Sequence, residues 1–130
     1  PHDAVKAALV MSVGADEPEI RAAAAYVMGR TGIDGGLKVC IRDRDERVRK
    51  AAAIALGHIP SRNGFDALCL ALSDDSWQVC VAALEALRRV RDPSCLSLVG
   101  ALAGHENHVV RNAVRLTLDE LNESVDKDIH

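Results

Sequence analysis

The chain has 130 residues, a formal net charge of −3, 48% hydrophobic residues and only 2% aromatic residues. This length suits one domain with its own core. Because aromatic residues are scarce, Ala, Leu, Val and Ile must fill that core, which favours closely packed helices over a β-sandwich. The acidic balance argues against general nucleic-acid binding. No apolar run approaches the roughly 20 residues of a membrane span, and no secretory signal is recognised at the start.

Four cysteines are spread along the chain without a C-x-x-C pair, at positions Cys40, Cys69, Cys80 and Cys95. We interpret them as small buried or half-buried hydrophobic residues of a protein in a reducing compartment. A disulfide framework is not expected, because helical packing at this length does not need covalent staples. The expected location is therefore the cytoplasm.

The predicted elements form four pairs, each with a shorter apolar helix A followed by a longer helix B. The A segments are residues 5–13, 36–43, 65–75 and 94–104, and the B segments begin near residues 16, 43, 74 and 105. The corresponding repeats span approximately residues 1–31, 32–60, 61–91 and 92–124 of a single domain covering residues 1–130. The last B helix is expected to reach about Glu123, with residues 125–130 as a polar tail.

The four B segments align on one apolar anchor each, namely Ile20, Val48, Val79 and Val110, which lie 28, 31 and 31 residues apart. Apolar residues recur at the anchor and at positions +3, +4, +7, +8 and +11 from it, a pattern typical of a helix that buries one face. Alanine at +3 and +4 is expected to let successive helices approach closely. The alanines are therefore interpreted as a packing surface.

Start and stop signals agree with these boundaries. Pro18 suits a first helical turn, where its missing N–H costs nothing, and Gly29 and Gly57 come near the ends of the first two B helices. Residues three positions before the anchors can cap their helices by accepting a free backbone N–H. These N-cap residues are Asp45, Ser76 and Asn107.

The phrase "DRDERVRKAAAIALG" at residues 43–57, and its weaker copies, resemble HEAT-like repeats of the phycobilisome lyase type. The match is close in residues 16–29 as well and weaker in the last two units. The resemblance implies an all-α fold, a right-handed α-α superhelical solenoid of four HEAT-like helix pairs with the B helices on the concave side. No single pair can bury its apolar face, so neighbouring pairs must stack.

The resemblance also implies a ladder between neighbouring repeats, made by an aspartate of the turn and an arginine just after the anchor. The third unit departs from this pattern, because Cys80 stands where the arginine is expected. The matching positions are Asp16 or Glu17 with Arg21, Asp43 or Asp45 with Arg49, and Glu106 with Arg111.

The segment "HENH", from His105 to His108, comes nearest to a metal motif. A zincin requires H-E-x-x-H on a helix, and here Val109 occupies the position after His108, so the motif fails by one residue. Deoxyhypusine hydroxylase, an iron enzyme built from similar repeats, uses several His-Glu pairs, whereas this chain has one. We interpret the two histidines as solvated turn residues and predict no catalytic, cofactor-binding or metal-binding residue.

Surface residues of the B helices remain as candidates for function. In the third B helix the positions opposite the expected core are Trp77, Val81, Leu84 and Arg88, an apolar stripe with a charged end. The alternative is that Trp77 folds over the preceding turn while Val81 and Leu84 pack against the neighbouring B helix. With the +6 positions and the polar last repeat added, the predicted protein-binding set is Tyr26, Ile54, Trp77, Val81, Leu84, Arg88, Arg115 and Leu116.

The sequence thus predicts a non-catalytic scaffold that binds a protein or peptide through the concave B-helix surface, without a cofactor. The alternative is an accessory subunit of a bilin-lyase-like or metal-dependent protein-modifying enzyme. A homodimer closed by an apolar surface is also possible, because the first A helix carries little charge.

Overall fold

The computed structural model describes the backbone of residues 2–33 and 35–129 and the side chains of residues 3–33 and 35–123. All regular structure in these ranges is helical. A 3-10 turn at Pro93–Cys95 precedes the seventh α-helix. The α-helices are α1 (His2–Ser12), α2 (Pro18–Thr31), α3 (Leu37–Cys40), α4 (Glu46–Leu56), α5 (Arg62–Ala71), α6 (Trp77–Val90), α7 (Leu96–Gly100) and α8 (His108–Ile129).

The helices form four pairs, in which α1, α3, α5 and α7 are the A helices and α2, α4, α6 and α8 are the B helices. Each B helix packs against the next B helix along the chain, and each A helix packs against the B helix that follows it. This arrangement confirms the predicted all-α solenoid of four helix pairs. One core of buried residues continues from α2 to α8.

Two of the A helices are shorter than predicted. Helix α3 covers only Leu37–Cys40, after Gly36 with a φ of 157°, and its expected continuation to residue 43 is a hydrogen-bonded turn. Helix α7 covers only Leu96–Gly100. Glycines at its end and at residue 104 disfavour further helix, because glycine loses the most backbone freedom on ordering.

Helix α8 is longer than predicted. Its backbone continues to Ile129. The predicted helix end near Glu123 is therefore wrong, and residues 125–129 continue the helix instead of forming a separate tail. The segment after Leu121 contains no glycine or proline that would stop a helix. His130 lies outside the described residues.

The predicted N-caps are confirmed. Asp45, Ser76 and Asn107 each accept a first-turn backbone N–H through a side-chain oxygen, at 2.8, 3.4 and 2.8 Å. Helix α2 ends at Gly32, which adopts the left-handed conformation with a φ of 75°. Pro18 is in the first turn of α2, as expected.

Three of the four anchors are fully buried, namely Val48, Val79 and Val110. The first anchor, Ile20, is 46% exposed, which corrects the prediction that it locks its helix in the core. The helices of the three later anchors each pack against a preceding B helix, whereas no B helix precedes α2 within the described residues.

Gly29 and Gly57 lie where successive B helices approach each other too closely to leave room for a Cβ. A Cβ added to Gly29 would lie 2.6 Å from the Cα of Ala55, and one added to Gly57 would lie 2.8 Å from the Cβ of Ala86. Both glycines occupy position +9 and both neighbours occupy position +7 of the next repeat. The face that contains position +9 therefore meets the next B helix.

Candidate protein-binding surfaces

An arginine ladder fixes the register of the first repeats. The Nε and Nη2 groups of Arg21 donate to the two carboxylate oxygens of Asp43 in the next repeat, at 2.8 and 3.0 Å. The Nη1 group donates to the main-chain carbonyls of Ala15 and Asp16 in its own turn, both at 2.8 Å. One guanidinium thus joins two turns, and its bidentate geometry is the strongest form of such a pair.

Arg49 repeats this arrangement. It binds the carboxylate of Asp74 in the third repeat at 2.9 and 3.2 Å, and its Nη1 group donates to the main-chain carbonyl of Asp43 at 2.8 Å. The predicted ladder is confirmed, but its partners differ from those expected. Each arginine takes the aspartate of the following repeat and uses only main-chain oxygens of its own turn.

Asp43 is almost enclosed, since the side chains of Arg21 and Asp43 are only 7% and 11% exposed. Burial by itself raises the pKa of Asp43, but hydrogen bonds from Arg21 and from the backbone N–H of Asp45 outweigh it and hold that pKa below its ordinary value. The carboxylate is therefore charged at neutral pH.

The third rung of the ladder is missing on both sides. Cys80 replaces the arginine, and its buried thiol donates to the carbonyl oxygen of Leu72 at 3.5 Å. His105 occupies the aspartate position, where its Nδ1 accepts the backbone N–H of Asn107 at 3.0 Å. His105 is half-buried and structural, which corrects its interpretation as a solvated histidine.

The predicted stripe on α6 is only partly exposed. Trp77 is 39% exposed, Val81 and Arg88 are half-buried, and Leu84 is fully buried. The expectation that Leu84 faces solvent is therefore wrong. Leu84 is at position +5, one helical turn before +9, and both positions lie on the face that meets the next B helix.

A different row of side chains, at position +6 of each B helix, is more exposed to solvent. At position +6, Tyr26 is 49% exposed and Leu116 is 38% exposed, while Ile54 is half-buried and Glu85 exposed. Three of these four residues belong to the predicted set. The Tyr26 hydroxyl accepts a hydrogen bond from Arg30 at 3.1 Å, which orients the ring along the helix surface.

A groove of about 410 Å³ lies on this side between α4 and α6. Its apolar part comes from alanines and Ile54, and its polar part is mostly basic. Of the predicted residues, the structure brings Ile54 and Arg88 together here, whereas Arg115 lies in a separate groove on α8. The lining residues are Ile54, His58, Ala82, Glu85, Ala86, Arg88, Arg89, Arg91 and Glu120.

A larger groove, which sequence reasoning missed, lies on the A-helix side between α3 and α5. Its volume is about 770 Å³, and its borders include Val39 and Leu70, which are 68% and 66% exposed. Both residues stand nine positions before their anchors, as does Met11, which is 78% exposed. An apolar residue recurring at that position was the signal that could have revealed this surface.

The titratable side chains offer limited chemistry. Burial raises the pKa of Cys40, Cys80 and Cys95 to about 11, so these thiols remain protonated at neutral pH. Cys69 is half-buried, and all four thiols are unpaired. Within the described ranges, no group of three His, Cys, Asp or Glu side chains could hold a metal ion. No described helix is both long and apolar enough to cross a bilayer.

Comparison with protein families agrees with this architecture. A family model described as HEAT repeats matches residues 65–129, which is half of the chain. A second family model, described as PBS lyase HEAT-like repeat, matches residues 48–74. A search of curated proteins found no match. Since these matches run from α4 to α8 through the repeated helix pairs, the chain belongs to the HEAT-repeat family.

Proposed function

We propose that this chain is a non-catalytic scaffold that binds a partner protein or peptide on its B-helix surface. The observation that carries the proposal is the row at position +6. Tyr26, Ile54, Glu85 and Leu116 occupy one register on four successive B helices, and two of them line the groove between α4 and α6. Proteins of the HEAT-repeat family generally serve as interaction scaffolds, which supports the same proposal.

The groove suggests the chemistry of the partner. Ile54 and two alanines provide an apolar floor, while Arg88 and Arg89 supply positive charge at one end. A segment with apolar and acidic side chains on one face, such as an amphipathic helix, would match both features. Aromatic residues such as Tyr26 are favoured in interfaces because they bury a large area at little entropic cost.

Two exposed leucines on opposite sides of the solenoid allow a matched test. Leu116→Asp alters the B-helix surface, and Leu70→Asp makes the same chemical change on the A-helix surface. The tagged protein and both variants would be used to capture partners from a lysate of the source cells, after thermal melts establish that both variants fold. A partner lost only with Leu116→Asp supports the proposal. A partner lost only with Leu70→Asp moves the binding site to the groove between α3 and α5, and a partner retained by both variants contradicts both locations.

A second candidate is favoured by the match of residues 48–74 to PBS lyase HEAT-like repeats. In that reading the chain is an accessory subunit of a bilin-lyase-like or metal-dependent protein-modifying enzyme. Metal analysis of the purified chain and of the complexes captured above would test it. Stoichiometric metal or a captured modifying enzyme would favour this candidate over a simple scaffold.

A second copy of this chain is a further candidate partner. The outer side of the first repeat is apolar, because Ile20, Val27 and Met11 are 46%, 39% and 78% exposed. Two such faces could close a symmetric dimer. Sedimentation of the wild type and of Val27→Asp would test this. The unpaired thiols also support a reducing compartment such as the cytoplasm.

A further inference from the structure

The exposed face of α8 contains an arginine in the same arrangement as the two arginines of the ladder. Arg111 occupies position +1, like Arg21 and Arg49, and its Nη1 group donates to the main-chain carbonyls of His105 and Glu106 at 2.7 and 2.9 Å. The side chain is therefore oriented by its own turn, as in the earlier repeats. Its other edge, formed by Nε and Nη2, has no acceptor among the described residues.

The two complete rungs indicate what this edge binds. In both, Nε and Nη2 hold the two oxygens of an aspartate, at 2.8 to 3.2 Å. In both, one oxygen of that aspartate also accepts the backbone N–H two residues later, at 2.9 Å. The ligand is thus an aspartate in a turn that opens a helix, and not simply any anion.

The surroundings of Arg111 can admit such a ligand. A groove of about 530 Å³ lies beside it along α8, with Ala103 of the turn after α7 as a further lining residue. Exposed polar residues His108, Asn112, Arg115 and Asp119 line the groove together with Leu118. Arg115 and Asp119 occupy positions +5 and +9, which in the earlier repeats lie on the face that meets the next B helix. On α8 this face is therefore polar and partly basic, whereas the first two repeats have alanine and glycine at the same two positions.

We propose that Arg111 is the binding site for an aspartate-bearing turn of a partner protein, which docks on α8 as one repeat docks on the next. The site is distinct from the B-helix row, so it does not depend on the function proposed above. A second copy of this chain, stacked end to end, is a poorer occupant. Its first repeat has Ala15 at the position that holds Asp43 and Asp74 in the following repeats.

The test uses the arginine Nε–Hε resonances of the ¹⁵N-labelled protein. The probe is a peptide with the sequence of residues 72–80, with Cys80→Ala, because it carries the turn around Asp74 that binds Arg49. Two control peptides carry Asp74→Asn or Asp75→Asn, and they have the same net charge. We expect saturable movement of the Arg111 resonance with the parent and Asp75→Asn peptides, little with the Asp74→Asn peptide, and none for Arg21 and Arg49.

A pair of protein variants completes the experiment. Arg111→Lys keeps the charge but loses the planar two-donor edge, so we expect about tenfold weaker binding of the parent peptide. Arg44→Lys makes the same change at an exposed arginine outside the groove and should bind normally. The proposal is overturned if the Arg111 resonance does not move, if both asparagine peptides bind equally, or if Arg111→Lys binds like Arg44→Lys. Dimerisation that depends on Arg111 would also overturn it, in favour of a second copy.

Discussion

Replacing Gly29 by alanine tests how closely the B helices pack. The added Cβ would lie 2.6 Å from the Cα and 2.7 Å from the Cβ of Ala55, whereas carbon atoms in contact are normally about 3.5–4.0 Å apart. Helices α2 and α4 must therefore separate by about 1 Å at their crossing. Overpacking of this kind costs about 1–3 kcal/mol, and the higher helix propensity of alanine returns up to about 1 kcal/mol. Because the obstacle is main chain, which cannot rotate away, we expect a net loss of about 1–2 kcal/mol.

Urea unfolding followed by circular dichroism gives this difference, and thermal melts should show a decrease of roughly 4 °C per kcal/mol. Gly100→Ala is the matched control, because no atom of another part of the protein lies within 4 Å of the Cβ it would add. That control should be neutral or stabilising by up to about 1 kcal/mol. If Gly29→Ala is as stable as the wild type, or gains stability like Gly100→Ala, then close approach of the B helices does not explain the glycine.

Three further predictions concern the ladder and the predicted stripe. Arg49→Ala and Asp74→Ala should each lower the free energy of unfolding by about 2–3 kcal/mol, because each leaves a largely enclosed charge without its partner. The double variant should lose less than the sum of the two. Additive losses would argue against a stabilising ion pair. The pKa of Asp43 lies below its ordinary value of 3.8, so its carboxylate stabilises the fold above that pH and this stabilisation is lost as the pH falls below it. Asp43→Asn should therefore flatten the loss of stability as the pH falls below 3.8. An unchanged dependence of the urea midpoint on pH would contradict the reasoning. Leu84→Asp should prevent folding or cost more than about 3 kcal/mol, whereas Trp77→Ala should cost clearly less. Thermal melts in the opposite order would contradict the burial of Leu84.

Local signals in the sequence were sufficient to predict the repeated helix pairs. The N-caps Asp45, Ser76 and Asn107 act through hydrogen bonds within one turn, and their spacing from the anchors is fixed by helix geometry. The buried anchors from Val48 onward follow from the same periodicity. Such features depend on residues only a few positions apart, so a single sequence reveals them.

Contacts between repeats were harder to predict, because a helical wheel separates core from surface but does not distinguish solvent from a neighbouring repeat. Leu84 stands opposite the A-helix side of the core and is nevertheless buried. The other repeats did not indicate that position +5 is buried, because Ala25 and Ala53 at this position are small enough for either environment. The same limit hid the groove between α3 and α5, which depends on the distance between two A helices.

The missing third rung explains why the stripe on α6 was misread. An arginine or aspartate left alone at a buried rung would cost several kcal/mol, and in this chain both are replaced, by Cys80 and His105. His105 still accepts the backbone N–H of the residue two positions later, Asn107, which requires no charge. Cys80 is buried at the position of the arginine. At this same junction position +5 changes from alanine to Leu84 and position +9 from glycine to Arg88. Of these two larger residues, Leu84 is fully buried and Arg88 is half-buried. A buried leucine opposite the A-helix side resembles part of an exposed apolar stripe when only the sequence is considered.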